Sequence, residues 1–300
     1  MMTTDYLYEL AYHNVSYSYE KPSHARVDVG STNSEAALRN ISVTLKPHTI
    51  VGLFGSNGSG KTTLMKLGAG RMNTLDGDVT MTAIESHNAD AEDTVATAQP
   101  CSVPVPVFGN DRATARVAYV APDAYVENTK LKNLVKYSCS RPGFDSDCFL
   151  RLADDFRVDL KKRLRSMSTG QRSLALTLFG IASRAPIVML DEVHVGLDVQ
   201  TRYKLYDTIL EDYATSGRTY VLSSHIIGEL DSIVERVIVL HQGKKILEGE
   251  AEELRSMAGD DTGSSPLQAG YVALMERVGV GSAQSKAHYD AIDQPGQNGK

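Results

Sequence analysis

Short apolar runs alternate along this chain with longer segments whose apolar residues recur every three or four positions. The runs at 7–10, 41–45 and 49–54 read as strands, and the last of them enters a glycine-rich loop followed by an apolar, helix-compatible segment at 64–67. Further on, Leu174, Ala175, Leu178, Phe179 and Ala182 form a helical stripe that Pro186 ends. Residues 187–190 are then continuously apolar, as strands buried on both faces are. The order repeats: Leu205, Tyr206, Ile209, Leu210 and Tyr213 mark an amphipathic helix, Gly217 caps it, and 219–222 is another buried-strand candidate. Such alternation predicts a parallel sheet with helices packed on it. Runs at 237–240 and 245–247, joined across His241-Gln242-Gly243, predict a closing hairpin, with short helices at 251–257 and around 271–278.

Other stretches lack this order. Residues 83–99 are polar and acidic without an apolar period, which predicts an exposed insertion between strands. Residues 129–165 are rich in Lys and Arg, break at Pro142 and Gly143, and carry Phe149, Leu150, Leu152 and Phe156 at helical spacing; they predict a small helical subdomain. Beyond residue 258 the composition turns to Gly, Ser and Asp, and the last dozen positions read as disordered.

With 300 residues and 42% hydrophobic content the chain can bury a core, which excludes a disordered or collagen-like protein. Lys plus Arg number 31 against 37 Asp plus Glu; the net charge of −6 and the lack of a basic block argue against a nucleic-acid partner. Cys101, Cys139 and Cys148 form no CxxC pair, so neither a disulfide scaffold nor a zinc cluster is expected, and a reducing compartment suits them. The opening MMTTDYLYEL lacks the basic and apolar regions of a signal peptide, and no run approaches the ~20 apolar residues of a membrane span. The expectation is a soluble chain whose membrane role needs a partner.

The chemistry starts at Gly55-Ser56-Asn57-Gly58-Ser59-Gly60-Lys61-Thr62-Thr63, which satisfies GxxxxGK[ST] directly after an apolar strand and directly before a helix. Glycines let the backbone wrap a phosphate with successive N–H groups pointing inward. Lys61 is placed to bridge the β- and γ-phosphates, and the Thr62 hydroxyl to hold Mg²⁺. Asp191 and Glu192 follow the buried run at 187–190, so one carboxylate can reach the metal and the next can polarise an attacking water. These features leave kinases, GTPases, motor ATPases and transporter ATPases open.

From about residue 7 to 257 the chain resembles the nucleotide-binding subunit of ABC transporters. Ser166-Met-Ser168-Thr169-Gly170-Gln171-Arg172 looks like that family's signature loop, at its usual place before the Asp-Glu strand. A serine hydroxyl, a close-approach glycine and a helix N-terminus make an anion site there; Ser168 could also merely cap its helix. Val195-Gly196-Leu197-Asp198 matches the D-loop, His225 the switch histidine, and Tyr19 the aromatic that stacks on adenine, with Tyr17 as its rival. Departures are evident too. Ala121-Pro122-Asp123 stands where the family has a Gln, so either Pro122 replaces the Gln or Asp123 supplies the metal-binding oxygen after a one-residue shift. Met167 and Thr169 replace Leu and Gly of the signature, Thr169 adding bulk that would slow turnover, and Val193-His194-Val195 replaces Pro-Thr-Ser.

The resemblance implies an α/β P-loop NTPase core of the RecA-like kind, with a parallel sheet, an antiparallel β subdomain and a helical subdomain at about 124–170. The ATP-binding domain would span 1–257 and a C-terminal extension 258–300. It implies ATP and Mg²⁺ as cofactors and hydrolysis in a head-to-tail dimer of two copies or paralogues. It also implies docking on a membrane-spanning subunit carried by a separate chain at the inner face of the cell membrane. The surroundings of the signature, Asp159-Leu-Lys-Lys, look most like bacterial exporters. A soluble ATPase acting on nucleic acid or the ribosome is the alternative, disfavoured by the single P-loop and the absence of a heptad run. A weakly active regulatory subunit is the other, and Pro122 and Thr169 speak for it.

Overall fold

The computed structural model describes residues 6–19, 36–85, 102–121, 129–139, 143–258 and 264–279. In chain order the elements are β1 (Tyr6–Ser18), β2 (Ala36–Leu45), β3 (Ile50–Phe54), α1 (Lys61–Gly68), β4 (Asp76–Glu85), β5 (Val105–Pro106) and α2 (Asp111–Thr114). There follow β6 (Val117–Val120), α3 (Leu131–Ser138), α4 (Ser146–Asp155), α5 (Thr169–Ala182), β7 (Ile187–Asp191), α6 (Val199–Ser216) and β8 (Thr219–Ser223). The series ends with β9 (Arg236–His241), β10 (Lys244–Glu250), α7 (Ala251–Arg255) and α8 (Pro266–Arg277).

The strands make two sheets. One is antiparallel, in the order β2-β1-β4-β5; the other has six strands in the order β10-β9-β3-β8-β7-β6. In the larger sheet β3 runs parallel to β8 and β9, and β7 parallel to β6 and β8, while β10 closes the edge antiparallel to β9. The β9–β10 hairpin turns at Gln242 and Gly243, both at positive φ, the conformation a tight two-residue connection requires.

Alternate residues of the central strands feed two opposite cores, which is why their sequences are apolar throughout rather than alternating. Ile50, Val188, Leu190, Tyr220 and Leu222 pack with Leu174 and Leu178 of α5, Leu205 and Ile209 of α6, and Leu267 and Tyr271 of α8. Val51, Leu53, Ile187, Met189 and Val221 pack the other way, against Leu64 and Leu67 of α1 and against Leu10, Val15, Leu38 and Ile41 of the antiparallel sheet. The P-loop NTPase architecture expected from the sequence is therefore present, with α1 held between the sheets.

Several boundaries differ from the sequence reading. Residues 83–85 are not the start of an exposed insertion but the end of β4, with Ile84 buried, because Tyr6, Leu7 and Tyr8 at the start of β1 pair with them. Residues 86–99 lie outside the described set. Leu150, counted in the stripe of α4, faces solvent; Cys148, Phe149, Leu152 and Ala153 are what α4 buries. The helix expected around 271–278 begins at Pro266, since Ser265 caps it by accepting from the Gln268 N–H and proline suits its first turn.

Candidate functional site

The loop from Gly55 to Thr63 leaves β3 at the carboxyl edge of the sheet and enters α1, where parallel sheets bind their ligands. Gly60 stands at φ 107°, and a Cβ there would sit 2.6 Å from Leu38 Cδ2 and 2.7 Å from the Ala37 carbonyl, so only glycine fits against β2. Among the described residues no side chain caps α1, which leaves its N-terminal amides to a ligand. Ser59 is 2% exposed, and its hydroxyl has no hydrogen-bond partner among the described residues. Ser56, Asn57 and Gly58 are exposed. An orphaned hydroxyl and uncapped amides beside a buried cation are a donor set matched to phosphate oxygens. That cation is Lys61, which donates to the carbonyls of Gly55 (2.7 Å) and Ser56 (3.4 Å) and lies 3.7 Å from Glu192 Oε1. Burial lowers the Lys61 pKa, against the pull of Glu192 and Asp191.

Across from the loop, β7 ends in Asp191 and β8 in Ser223. Asp191 accepts from the Ser223 hydroxyl (2.6 Å) and from the Tyr119 hydroxyl (3.0 Å). The same Ser223 oxygen accepts from the Glu192 N–H (2.9 Å), which holds Glu192 at φ 50°, a left-handed turn rare for a side-chain-bearing residue. Glu192 Oε2 then meets His225 Nδ1 at 2.6 Å, and His194 Nε2 lies 3.4 Å from the same oxygen. Burial pushes the Glu192 carboxyl up, but the hydrogen bond from His225 and the charges of His225, Lys61 and His194 outweigh it, and the group stays below its ordinary range. Glu192 is thus a carboxylate at neutral pH.

Tyr19, 63% exposed, reaches the loop through its hydroxyl, 2.9 Å from Thr63 Oγ1, while Tyr17 packs on it edge to face at 5.2 Å. Thr62 is half-buried in the first turn of α1. Asp123 and Pro122 lie outside the described residues.

The signature residues occupy another place. Ser168 caps α5 by accepting from the Gln171 N–H (3.2 Å), and Asp198 caps α6 by accepting from Thr201. A Cβ on Gly170 would collide with the Gly196 carbonyl, so the two loops touch backbone to backbone. Close approach within the chain therefore falls on Gly170, while Thr169 is exposed. Ser168, Gly170, Gln171 and Asp198 line a cavity of about 250 Å³ with Phe156 and Lys162, and no residue of 55–63 lines it.

The fold thus gathers Lys61, Asp191, Glu192 and His225 at one edge and Ser168, Gly170, Gln171 and Asp198 at another. Sequence reasoning missed Ser223, Tyr119 and the closeness of His194. Ser223, one residue past the strand expected at 219–222 and two residues before His225, carried the one signal that could have been read.

The family profile described as ABC transporter matches residues 38–195, more than half of the chain. The energy-coupling factor transporter ATP-binding protein EcfA2 of Thermotoga maritima is 28% identical over 225 residues, covering 75% of this chain and 79% of that one. The zinc uptake system ATP-binding protein ZurA of Listeria monocytogenes is 28% identical over 249 residues, covering 82% and 88%. A solved ATP-binding subunit of an ABC transporter superposes with a TM-score of 0.65 at 20% identity, over 89% of this chain and 99% of that one. The dimeric ATP-binding cassette MJ0796, bound to ADP and Pi, gives a TM-score of 0.61 at 18% identity, over 80% and 98%. With the P-loop and the Asp-Glu strand in place, the chain belongs to the ABC transporter family, as one of its ATP-binding, ATP-hydrolysing subunits.

Proposed function

We propose that the chain powers a membrane transporter by hydrolysing ATP in a head-to-tail dimer, at the inner face of the cell membrane against a membrane-spanning subunit on a separate chain. The observation that carries the reading is the convergence of Lys61, Asp191, Glu192 and His225 at one sheet edge, with Glu192 ionised and 3.7 Å from the P-loop lysine. Amides 55–63 and the Ser59 hydroxyl cradle the phosphates, Lys61 shifts from Glu192 to them, and Tyr19 offers its exposed face to the adenine. Thr62 and Asp191 would hold Mg²⁺, which supplies charge neutralisation between the phosphates; Asp123 is the third contact suggested by the sequence. Freed from Lys61, Glu192 takes a proton from water as its oxygen bonds to the γ-phosphorus and the bond to the leaving ADP oxygen breaks. His225 keeps the carboxylate aimed and faces the γ-phosphate.

A second chain is needed because Ser168, Gly170 and Gln171 line a cavity apart from residues 55–63. Accepting from Gln171 leaves the Ser168 O–H proton free to donate to a neighbour's phosphate. A second copy or a paralogue would serve. The direction of transport is not chosen by kinship, since both an uptake system and a lipid A-core flippase are among the relatives; export rests on the Asp159–Lys162 surroundings.

Glu192→Gln tests this. The variant is expected to bind ATP, to hydrolyse it about 10³-fold more slowly, and to accumulate as an ATP-dependent dimer in light scattering. Unchanged turnover would remove Glu192 from the chemistry, and a monomer at saturating ATP would remove the dimer.

A further inference from the structure

We propose that Glu192, His194 and His225 form a binding site for a zinc-type divalent cation, and that its occupancy withdraws Glu192 from hydrolysis. The second half rests on the reading of Glu192 given above; the first does not. The ligating atoms of the three side chains lie within 4.8 Å of one another, and the two imidazole rings, tilted 52° to each other, have centroids 4.8 Å apart. Two donors that each stand about 2.1 Å from a tetrahedral zinc are about 3.4 Å apart. His194 Nε2 and Glu192 Oε2 already have that separation, 3.4 Å. His225 Nδ1, now 2.6 Å from Oε2, must retreat by less than ~1 Å to admit the ion at such a spacing, and its side chain, one third exposed, has room to do so.

A second observation points to a ligand. His194 is 3% exposed, and its Nε2 has no hydrogen-bond partner among the described residues despite its nearness to Glu192. Buried polar atoms are nearly always partnered, so a nitrogen without one, aimed into a cluster of donors, is suited to an electrophile.

Donor chemistry selects the ion. Two imidazoles and one carboxylate suit zinc and its borderline neighbours, whereas Mg²⁺ prefers oxygen donors and keeps its waters. Thr62 and Asp191, the residues read for Mg²⁺, offer only oxygen. Lys61 stands on the other carboxylate oxygen, Oε1, so the incoming cation meets Glu192 on Oε2, the oxygen the two histidines already approach. Partial exposure of Glu192 and His225 leaves a fourth position open to water and gives the ion an entry path.

The test uses the full-length, nucleotide-free protein in excess Mg²⁺, titrated with Zn²⁺ by calorimetry and with Co²⁺ by visible absorption. One cation per chain is expected, with cobalt bands of nitrogen and oxygen ligation. Loss of a ligand should cost at least as much as loss of its supporting partners, so His194→Ala and His225→Ala are each expected to weaken zinc binding about 100-fold. His194→Phe, which fills the space without a donor, covers the case in which alanine unfolds the chain, and binding of a fluorescent ATP analogue reports an intact P-loop in every variant. Equal zinc affinity in the wild type and both His194 variants would overturn the site. So would no binding in excess Mg²⁺, or cobalt thiolate charge-transfer bands, which would assign the metal to a cysteine such as the exposed Cys139. Turnover is measured separately. If zinc binds as expected but the wild type never hydrolyses ATP, the metal site stands and the catalytic reading falls; turnover without zinc binding gives the reverse.

Discussion

Strands β7 and β8 carry a carboxylate cluster at each end, and the two are built from opposite kinds of partner. At the amino ends, Asp212 of α6 accepts from Arg184 (3.2 Å), Tyr220 (2.5 Å) and Ser216 (3.2 Å) and pairs with Arg218. Arg218 also donates to the Ile181 carbonyl (2.8 Å) and to Ser216, while Arg184 reaches Asp145, the cap of α4. Four elements are tied at that point by guanidinium groups that never lose their proton. At the carboxyl ends, Glu192 meets a lysine and two histidines, all of which can change protonation or partner, and one side of the cluster faces solvent. A carboxylate saturated by arginines is fixed in place. One held by soft partners on an open edge is ready to exchange them, and that difference separates a clamp from a reacting group more clearly than burial does.

The clamp end should break hardest. Asp212→Ala leaves Arg218 buried with its main partner gone, and removing one member of a buried pair costs about 3–5 kcal/mol. The expected result is a fall of that size in unfolding free energy from urea titration, with ATP turnover per folded molecule unchanged. A loss below about 1 kcal/mol would show that the arginine cluster is a surface ion pair in all but position.

How much of this was legible beforehand follows the same division. The P-loop, Asp191, Glu192 and His225 could be read because each sits at a fixed offset from an apolar strand, and strand ends are what hydrophobic periodicity marks best. The parallel sheet was readable for the same reason. The Asp212 cluster was invisible: Asp145, Ser216, Arg184 and Arg218 are scattered polar residues that only the packing of α4, α5 and α6 brings together. His194 appeared as an odd residue in a loop, and nothing in its neighbours foretold that the turn at Glu192 would fold it beneath the carboxylate. The length of β1 was underestimated because Asn14, at positive φ, interrupts the apolar alternation where the pairing to β2 shifts register.

Lys61→Met sharpens the contrast from the site end. Lys61 is buried, and its surroundings lower its pKa, so the folded chain holds this charge at a disadvantage. Replacing it with an apolar side chain of similar length removes a desolvated ammonium along with its bonds to the Gly55 and Ser56 carbonyls. Unfolding free energy is expected to stay within about 1 kcal/mol of wild type, while binding of a fluorescent ATP analogue is lost. Where Asp212 contributes stability and no chemistry, Lys61 should contribute binding and no stability. A large fall in stability would place Lys61 among the clamps.

The smallest effect is expected at Ser168, where the two roles meet in one hydroxyl. As the cap of α5 it satisfies the Gln171 N–H, and losing a serine cap costs about 1 kcal/mol. Ser168→Ala should therefore lower the urea midpoint slightly and reduce turnover, an outcome that fits either role. Ser168→Asp separates them. Aspartate caps a helix as well as serine does, so stability returns, but a carboxylate facing a neighbour's phosphate has no proton to donate and repels it. Restored stability with turnover still lost makes the O–H a phosphate ligand across the dimer; turnover restored with stability makes Ser168 a cap and leaves phosphate binding to Gly170 and the α5 amides.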